Sequence, residues 1–197
     1  MVSLRKCRIG VVGLGYVGLP LAVEFAKAGF PVTGFELDAE KVRSIMAGRS
    51  YIDDVPEADL RVQRDAGRLH ATVDMNELAL CDVINVCVPT PLTESREPDL
   101  KYVVNSAHAI LGQLRPGQLV VLESTTYPTT TRNVVLPILA RSEMTAGEDY
   151  FLAFSPERED PGRKDFDTQT IPKLVGGIDK ESGDIAYEMY KHAIKSV

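Results

Sequence analysis

Apolar positions along this chain follow two rhythms. Short, nearly continuous apolar runs occur at residues 8–12, 32–36, 70–73, 82–88, 119–122 and 150–154. Between them, at residues 19–28, 38–47, 57–66, 100–114, 129–139 and 181–194, the patterning is helical. The runs predict strands and the longer stretches predict helices. A short last strand is expected at 173–177. The run at 82–88 is apolar nearly throughout, as a strand covered on both faces should be. Strand and helix alternate with short connections, which predicts an α/β fold: a doubly wound, mainly parallel sheet with helices on both faces. Gly29, Gly48 and Gly67 stand where helices should end, as does Pro116-Gly117. Asp99 and Asp179 are placed to cap helix starts, and Thr129-Thr130-Thr131 offers caps for the helix running to Leu139. No repeat, low-complexity tract or internal boundary interrupts the alternation, so residues 1–197 are read as one domain.

The first strand, turn and helix carry the strongest local signal. Gly13, Gly15 and Gly18 have the G-x-G-x-x-G spacing, between an apolar run and a helical stretch. The first glycine allows a tight turn, the second lets backbone approach a pyrophosphate, and the third lets the helix lie close to the strand. Amides at the helix start would face the anion. Pro20 falls in the first turn or so, where a missing N–H is tolerated. The next strand ends in Glu36, placed to accept from an adenosine ribose. A carboxylate there accepts from a 2′-hydroxyl and repels a 2′-phosphate, which favours NAD over NADP. Together these make a βαβ unit of the Rossmann type. Lys41, one turn further on, is placed to reach the same ribose or a phosphate; a solvated lysine on a helix face is the alternative.

Composition narrows the partners. With 22 basic and 28 acidic residues the formal charge is −6, and no basic stripe interrupts the acidic background, which argues against nucleic acid. No apolar run approaches the roughly 20 residues that span a bilayer, and the start shows no signal peptide. Cys7, Cys81 and Cys87 have no metal-type spacing. They are read as reduced, structural thiols of a cytoplasmic protein without metal.

The remaining candidates sit at strand ends, where this architecture binds ligands. Val88-Pro89-Thr90-Pro91 follows one central strand, and Thr90 could offer a hydroxyl to the cofactor. Glu123-Ser124-Thr125 follows another, with Ser124 or Thr125 placed for ligand contact. Ser155-Pro156-Glu157-Arg158 opens a charged loop that mixes carboxylates able to move protons with guanidinium groups able to clamp phosphate. Two other readings stay open. One is a dinucleotide-sensing module without catalysis. The other is a hydroxyacid-type dehydrogenase, for which Lys191 and His192 are weak candidates.

As a set, residues 13–20, 88–91, 123–125 and 155–158 with Pro161-Gly162 resemble the UDP-glucose/GDP-mannose dehydrogenase family, in its N-terminal NAD-binding domain. The run 155–162 is most similar to the subgroup acting on UDP-N-acetylglucosamine. The resemblance implies oxidation of a sugar C6 alcohol to a carboxylate with two NAD, for surface polysaccharide precursors. UDP-glucose, UDP-N-acetylmannosamine and GDP-mannose are the alternative substrates. It implies that Gly13, Gly15, Tyr16, Val17 and Gly18 hold the pyrophosphate, with Val17 lending its N–H. Glu36 and Lys41 would hold the ribose, and Pro89 and Thr90 would contact the cofactor further along. Ser124 and Thr125 would lie near the nicotinamide, with Thr125 ordering the catalytic water. Glu157 would face the reacting sugar, beside Arg158. The family's nucleophilic cysteine belongs to a second half, with a lysine and an asparagine; no cysteine here occupies its motif. A central helix and a sugar-binding domain are therefore expected beyond this chain, in an enzyme that forms homo-oligomers. Glu36 replaces the more usual aspartate, which shifts ribose geometry by a methylene. Thr129 stands where the family often has glycine.

Overall fold

Strand β1 (Ile9–Val12) is an inner strand of a sheet built as the alternation predicts. The computed structural model describes residues 6–156 and 172–197. The other strands are β2 (Val32–Phe35), β3 (Leu69–Thr72), β4 (Val83–Val86), β5 (Leu119–Leu122), β6 (Phe151–Phe154) and β7 (Gly176–Gly177). Their order across the sheet is β3-β2-β1-β4-β5-β6-β7. All neighbours pair in parallel except β6 and β7. The chain winds outward from β1 in both directions, so a crevice opens between the exits of β1 and β4, the switch point of a doubly wound sheet.

The helices are α1 (Gly18–Lys27), α2 (Ala39–Met46), α3 (Glu57–Asp65), α4 (Lys101–Leu111), α5 (Leu136–Leu139) and α6 (Lys180–Tyr190). Successive side chains of a strand point to opposite faces, and the core is split accordingly. On one side Ile9, Val11, Val83, Leu119 and Val121 pack with α1, Leu60 of α3 and Met189 of α6. On the other, Val12, Ile84, Val86, Val120 and Leu122 pack with Val103, Ala107 and Ile110 of α4 and Leu139 of α5. Among the described residues no helix is long and apolar enough to cross a membrane.

Several expectations needed correction. The last strand, expected at 173–177, is reduced to two residues and runs antiparallel to β6. Residues 75–80, unassigned from sequence, form a short 3-10 turn that buries Leu78. Asp179 does cap, accepting from the Ser182 amide at 2.7 Å, whereas Asp99 stands one residue before Leu100, the cap position of α4, and accepts from the Lys101 amide at 2.9 Å. The threonine cluster does not cap. Thr130 donates back to the Tyr127 carbonyl at 2.8 Å, and the helix that follows opens with a wide π turn at Thr131–Val135. Thr129 adopts φ +78°, the left-handed backbone that glycine enters at little cost and a β-branched residue does not.

The three cysteines are buried, and none is in a disulfide. Burial first, then the Asp82 carboxylate, pushes the Cys7 thiol from 9.0 up to about 11 and the Cys81 thiol up to about 12. A thiol that loses its proton less readily folded than unfolded stabilises the fold fully below its unfolded pKa. Stability measured by urea denaturation should therefore hold below pH 9.0 and decline as pH rises towards 11 to 12; Cys7→Ala/Cys81→Ala should flatten that decline. A second check is the cap of α6. Asp179 also accepts from Ser182 Oγ at 3.0 Å, and Ser182 Oγ accepts from the Leu152 amide at 3.2 Å, joining α6 to β6. Asp179→Ala should cost about 1–2 kcal/mol in the same assay.

Candidate functional site: a cleft at the strand ends

The glycine turn shows three separate demands on backbone. Gly13 has φ +89°, and a Cβ there would sit 2.8 Å from the Cys87 carbonyl oxygen. A Cβ on Gly18 would lie 1.8 Å from the Gly13 carbonyl oxygen, so α1 reaches the end of β1 only without a side chain. Gly15 is different: its Cβ would meet nothing within 4 Å. It borders a cavity of about 910 Å³ together with Gly13, Tyr16 and Val17. Leu19 is the first amide of the turn to bond back, to Gly15 O at 3.1 Å, so the amides of Tyr16, Val17 and Gly18 precede it.

The tip of β2 braces this turn. The Gly13 amide donates to Phe35 O at 2.8 Å, and the Leu14 amide to Glu36 Oε2 at 3.2 Å. Tyr51 closes the brace by donating its hydroxyl to Leu14 O at 2.7 Å. Burial, with the Glu36 and Asp38 carboxylates adding to it, raises the Tyr51 pKa and keeps it a donor. Glu36 Oε1 accepts from the amides of Leu37 (2.9 Å) and Asp38 (3.2 Å). Lys41 Nζ lies 3.8 Å from Glu36 Oε2 and 5.6 Å from the centre of the Tyr51 ring. Half-exposed, it lines the cavity beside Glu36 and is not turned away to solvent.

At the other end of the cavity two loops are stitched together. Ser124 donates to Val88 O at 2.7 Å, and Thr90 donates to Thr125 O at 2.5 Å. Both polar exits, after β4 and β5, thus hold one relative position. Ser124 has committed its proton to this seam, whereas Thr125 is exposed on the cavity wall. Gly13, Gly15, Tyr16, Val17, Glu36, Lys41, Pro89, Thr90, Ser124 and Thr125 all line the one cavity. Gly18 sits beneath the turn, where it permits the packing. Glu157 and Arg158 lie outside the described residues. Neither Lys191 nor His192 borders the cavity: Lys191 pairs with Glu188 at 2.6 Å, and His192 packs edge-on against Phe30.

Sequence reasoning missed one wall. Tyr102, Asn105, Ser106 and Ala109 of α4 face the cavity, with Met75 nearby. Their spacing is i, i+3, i+4, i+7, a second stripe beside the apolar face of Val103, Ala107 and Ile110, so the signal was present as periodicity. Tyr51 and Glu123 were also assigned no role.

The geometry meets a clear match in sequence. The model of the UDP-glucose/GDP-mannose dehydrogenase family, NAD binding domain, matches residues 7–194. The chain belongs to this family. As its NAD-binding domain it is 36% identical over 192 residues to a UDP-N-acetyl-D-glucosamine 6-dehydrogenase of Pseudomonas aeruginosa, covering 97% of this chain and 44% of that protein. It superposes on the structure of a UDP-D-ManNAc dehydrogenase from Pyrococcus horikoshii with a TM-score of 0.90 at 30% identity, over 96% of this chain and 45% of the other. A ternary complex of GDP-mannose dehydrogenase from P. aeruginosa gives a TM-score of 0.89 at 32% identity, over 96% and 45%. The chain spans less than half the length of each of these proteins.

The domain's residues fit NAD. The space that a Cβ on Gly15 would enter is open, as close approach of a pyrophosphate needs. At the far end of the cavity Glu36 presents a carboxylate, which would accept from a 2′-hydroxyl and repel a 2′-phosphate. Gly15→Ala and Gly18→Ala should therefore fail differently. The first should leave the melting temperature within a few degrees of the parent and weaken NAD binding roughly tenfold or more by calorimetry. The second should unfold or severely destabilise the domain, because Gly13 O has nowhere to move.

Proposed function

We propose that this chain is the cofactor half of a nucleotide-sugar 6-dehydrogenase, acting on a UDP-N-acetylhexosamine, with UDP-N-acetylglucosamine the favoured substrate. The single observation that supports it most is the shared cavity: the glycine turn and Glu36 border one end, and the stitched hydroxyl loops border the other. A dinucleotide laid along it would have its pyrophosphate at Gly13–Val17 and its adenosine ribose at Glu36 and Lys41. The nicotinamide would then lie by Thr125, with Pro89 and Thr90 flanking it. When bound, NAD supplies hydride acceptance. Thr125 Oγ1 would orient a water for attack at C6, while Ser124 and Thr90 hold that loop still. Glu157 would face the sugar as a proton acceptor, and Arg158 would hold the substrate. A sensor module has no need of two hydroxyl-bearing strand exits fixed against each other. In this reading the whole protein is cytoplasmic and homo-oligomeric, and the thiol nucleophile belongs to a further half. Relatives named for UDP-N-acetylglucosamine, UDP-N-acetylmannosamine and GDP-mannose stand at similar identity, 36%, 32% and 34%, so the sugar rests on the subgroup resemblance of residues 155–162.

Calorimetry should show the isolated chain binding NAD and NADH, and NADP at least tenfold more weakly. Added UDP-N-acetylglucosamine should yield no NADH by absorbance. No NAD binding at millimolar concentration would reject the cofactor reading. Sustained NADH formation by the chain alone would reject the division of labour.

A further inference from the structure

Beneath the carboxyl ends of β4 and β5 lies a charged cluster that neither the glycine turn nor the hydroxyl loops require. Glu123 is fully buried, and its Oε2 accepts from Lys173 Nζ at 2.6 Å. Its other oxygen accepts from the Tyr190 hydroxyl of α6, which also lies 3.0 Å from Asn85 Oδ1. Lys173 is itself nearly buried, with Nζ 5.1 Å from the centre of the Tyr190 ring. Its backbone amide is fixed to Ser196 O at 2.9 Å. Glu123 forms part of the cavity floor and directly precedes Ser124 and Thr125.

We propose that the Glu123–Lys173 ion pair compensates charge under the nicotinamide end of the cavity, and so sets how strongly the domain prefers NAD+ to NADH. This rests on the reading that places the nicotinamide by Thr125. The two cofactor forms differ at the ring by one positive charge. A lone carboxylate under the floor would favour the cationic form and hold the cofactor oxidised. Tyr190 hydrogen-bonds Glu123, and Asn85 meets the Tyr190 hydroxyl, but neither brings charge to cancel the carboxylate's field. Lys173 does, at contact distance and away from water, where fields are weakly screened. A pair that only fastened residues 172–175 to the sheet would change stability without discriminating between the two cofactor forms.

The test is the ratio of NAD+ to NADH affinity, with ADP-ribose, which lacks the nicotinamide, as the control ligand. Lys173→Met should raise the NAD+/NADH affinity ratio roughly fivefold or more, and Glu123→Gln should lower it by a similar factor. Glu123→Gln/Lys173→Met should return the ratio to about the parent value, within twofold, and ADP-ribose affinity should stay constant throughout. Shifts of both single variants in one direction, or none, overturn the inference. If melting shows that Lys173→Met does not fold, the isosteric Glu123→Gln decides: an unchanged ratio sinks the proposal. A parent chain that binds none of the three ligands overturns the cofactor reading itself; binding with a fixed ratio overturns only this inference.

Discussion

A helix can begin at the exit of β1 only because Gly18 has no side chain. The Gly13 carbonyl occupies the space a Cβ would take, at 1.8 Å. Everything at the site follows from that contact. It sets α1 against the sheet with its first amides at the mouth of the crevice between β1 and β4. Gly13 itself adopts a left-handed backbone, and its own Cβ would strike Cys87 O. The strand order then delivers the exits of β2, β4 and β5 around the same opening. A local packing constraint of two glycines thus becomes a binding cleft, because the topology converges there.

The tip of β2 shows how a change of one methylene is absorbed. An aspartate at position 36 would have a shorter reach. Glu36 extends far enough to accept from the Leu14 amide as well as from Leu37 and Asp38, so one carboxylate ties the glycine turn to the strand that follows. An ionised carboxylate offers about four acceptor positions. Three amides leave room for a ribose hydroxyl, and Tyr51 holds the far side of the same loop. The brace therefore comes from residues 36 and 51, well outside the glycine motif, and it preorganises the turn before any ligand arrives.

The doubly wound, mainly parallel sheet, the element types and the strand-end part of the lining were legible in the sequence, because buried parallel strands and glycine spacing leave strong patterns. The turn at Gly13 and the close packing at Gly18 were read as the structure shows them. What escaped had physical reasons. The last strand, β7, was expected, but its two-residue length and antiparallel direction were not, because a run that short carries no sign of its direction. Thr130 bonds a carbonyl behind it and not an amide ahead, a choice that residue type alone does not fix. Ser124 and Thr125 looked equivalent as neighbouring hydroxyls, and only the position of Val88 O separates a seam from an exposed wall residue. The face of α4 was hidden because Ser106 and Ala109 look like ordinary helix residues until the cavity is seen. Glu123 drew no attention because a lone glutamate gives no sign that it will be buried with a lysine distant in sequence.

Strand β5 carries a polar residue just beyond its carboxyl end and one just before its amino end, and the two are handled differently. Gln118, before the strand, is fully buried, donates to Leu78 O (3.1 Å) and Cys81 O (2.8 Å), and accepts from the Arg115 amide. A neutral amide is enough to satisfy the backbone there. Glu123, beyond the strand, is equally buried but charged, and needs Lys173 and Tyr190 around it. Burying two charges costs more than burying one amide, and a well-packed neutral replacement is often as stable or more so. Stability alone therefore gives no reason for the ionic solution at that end. The buried ion pair occurs where the cavity floor and the Thr125 loop meet; at the opposite end of the same strand the buried side chain is neutral, and the Asp82–Arg115 pair beside it stays partly exposed.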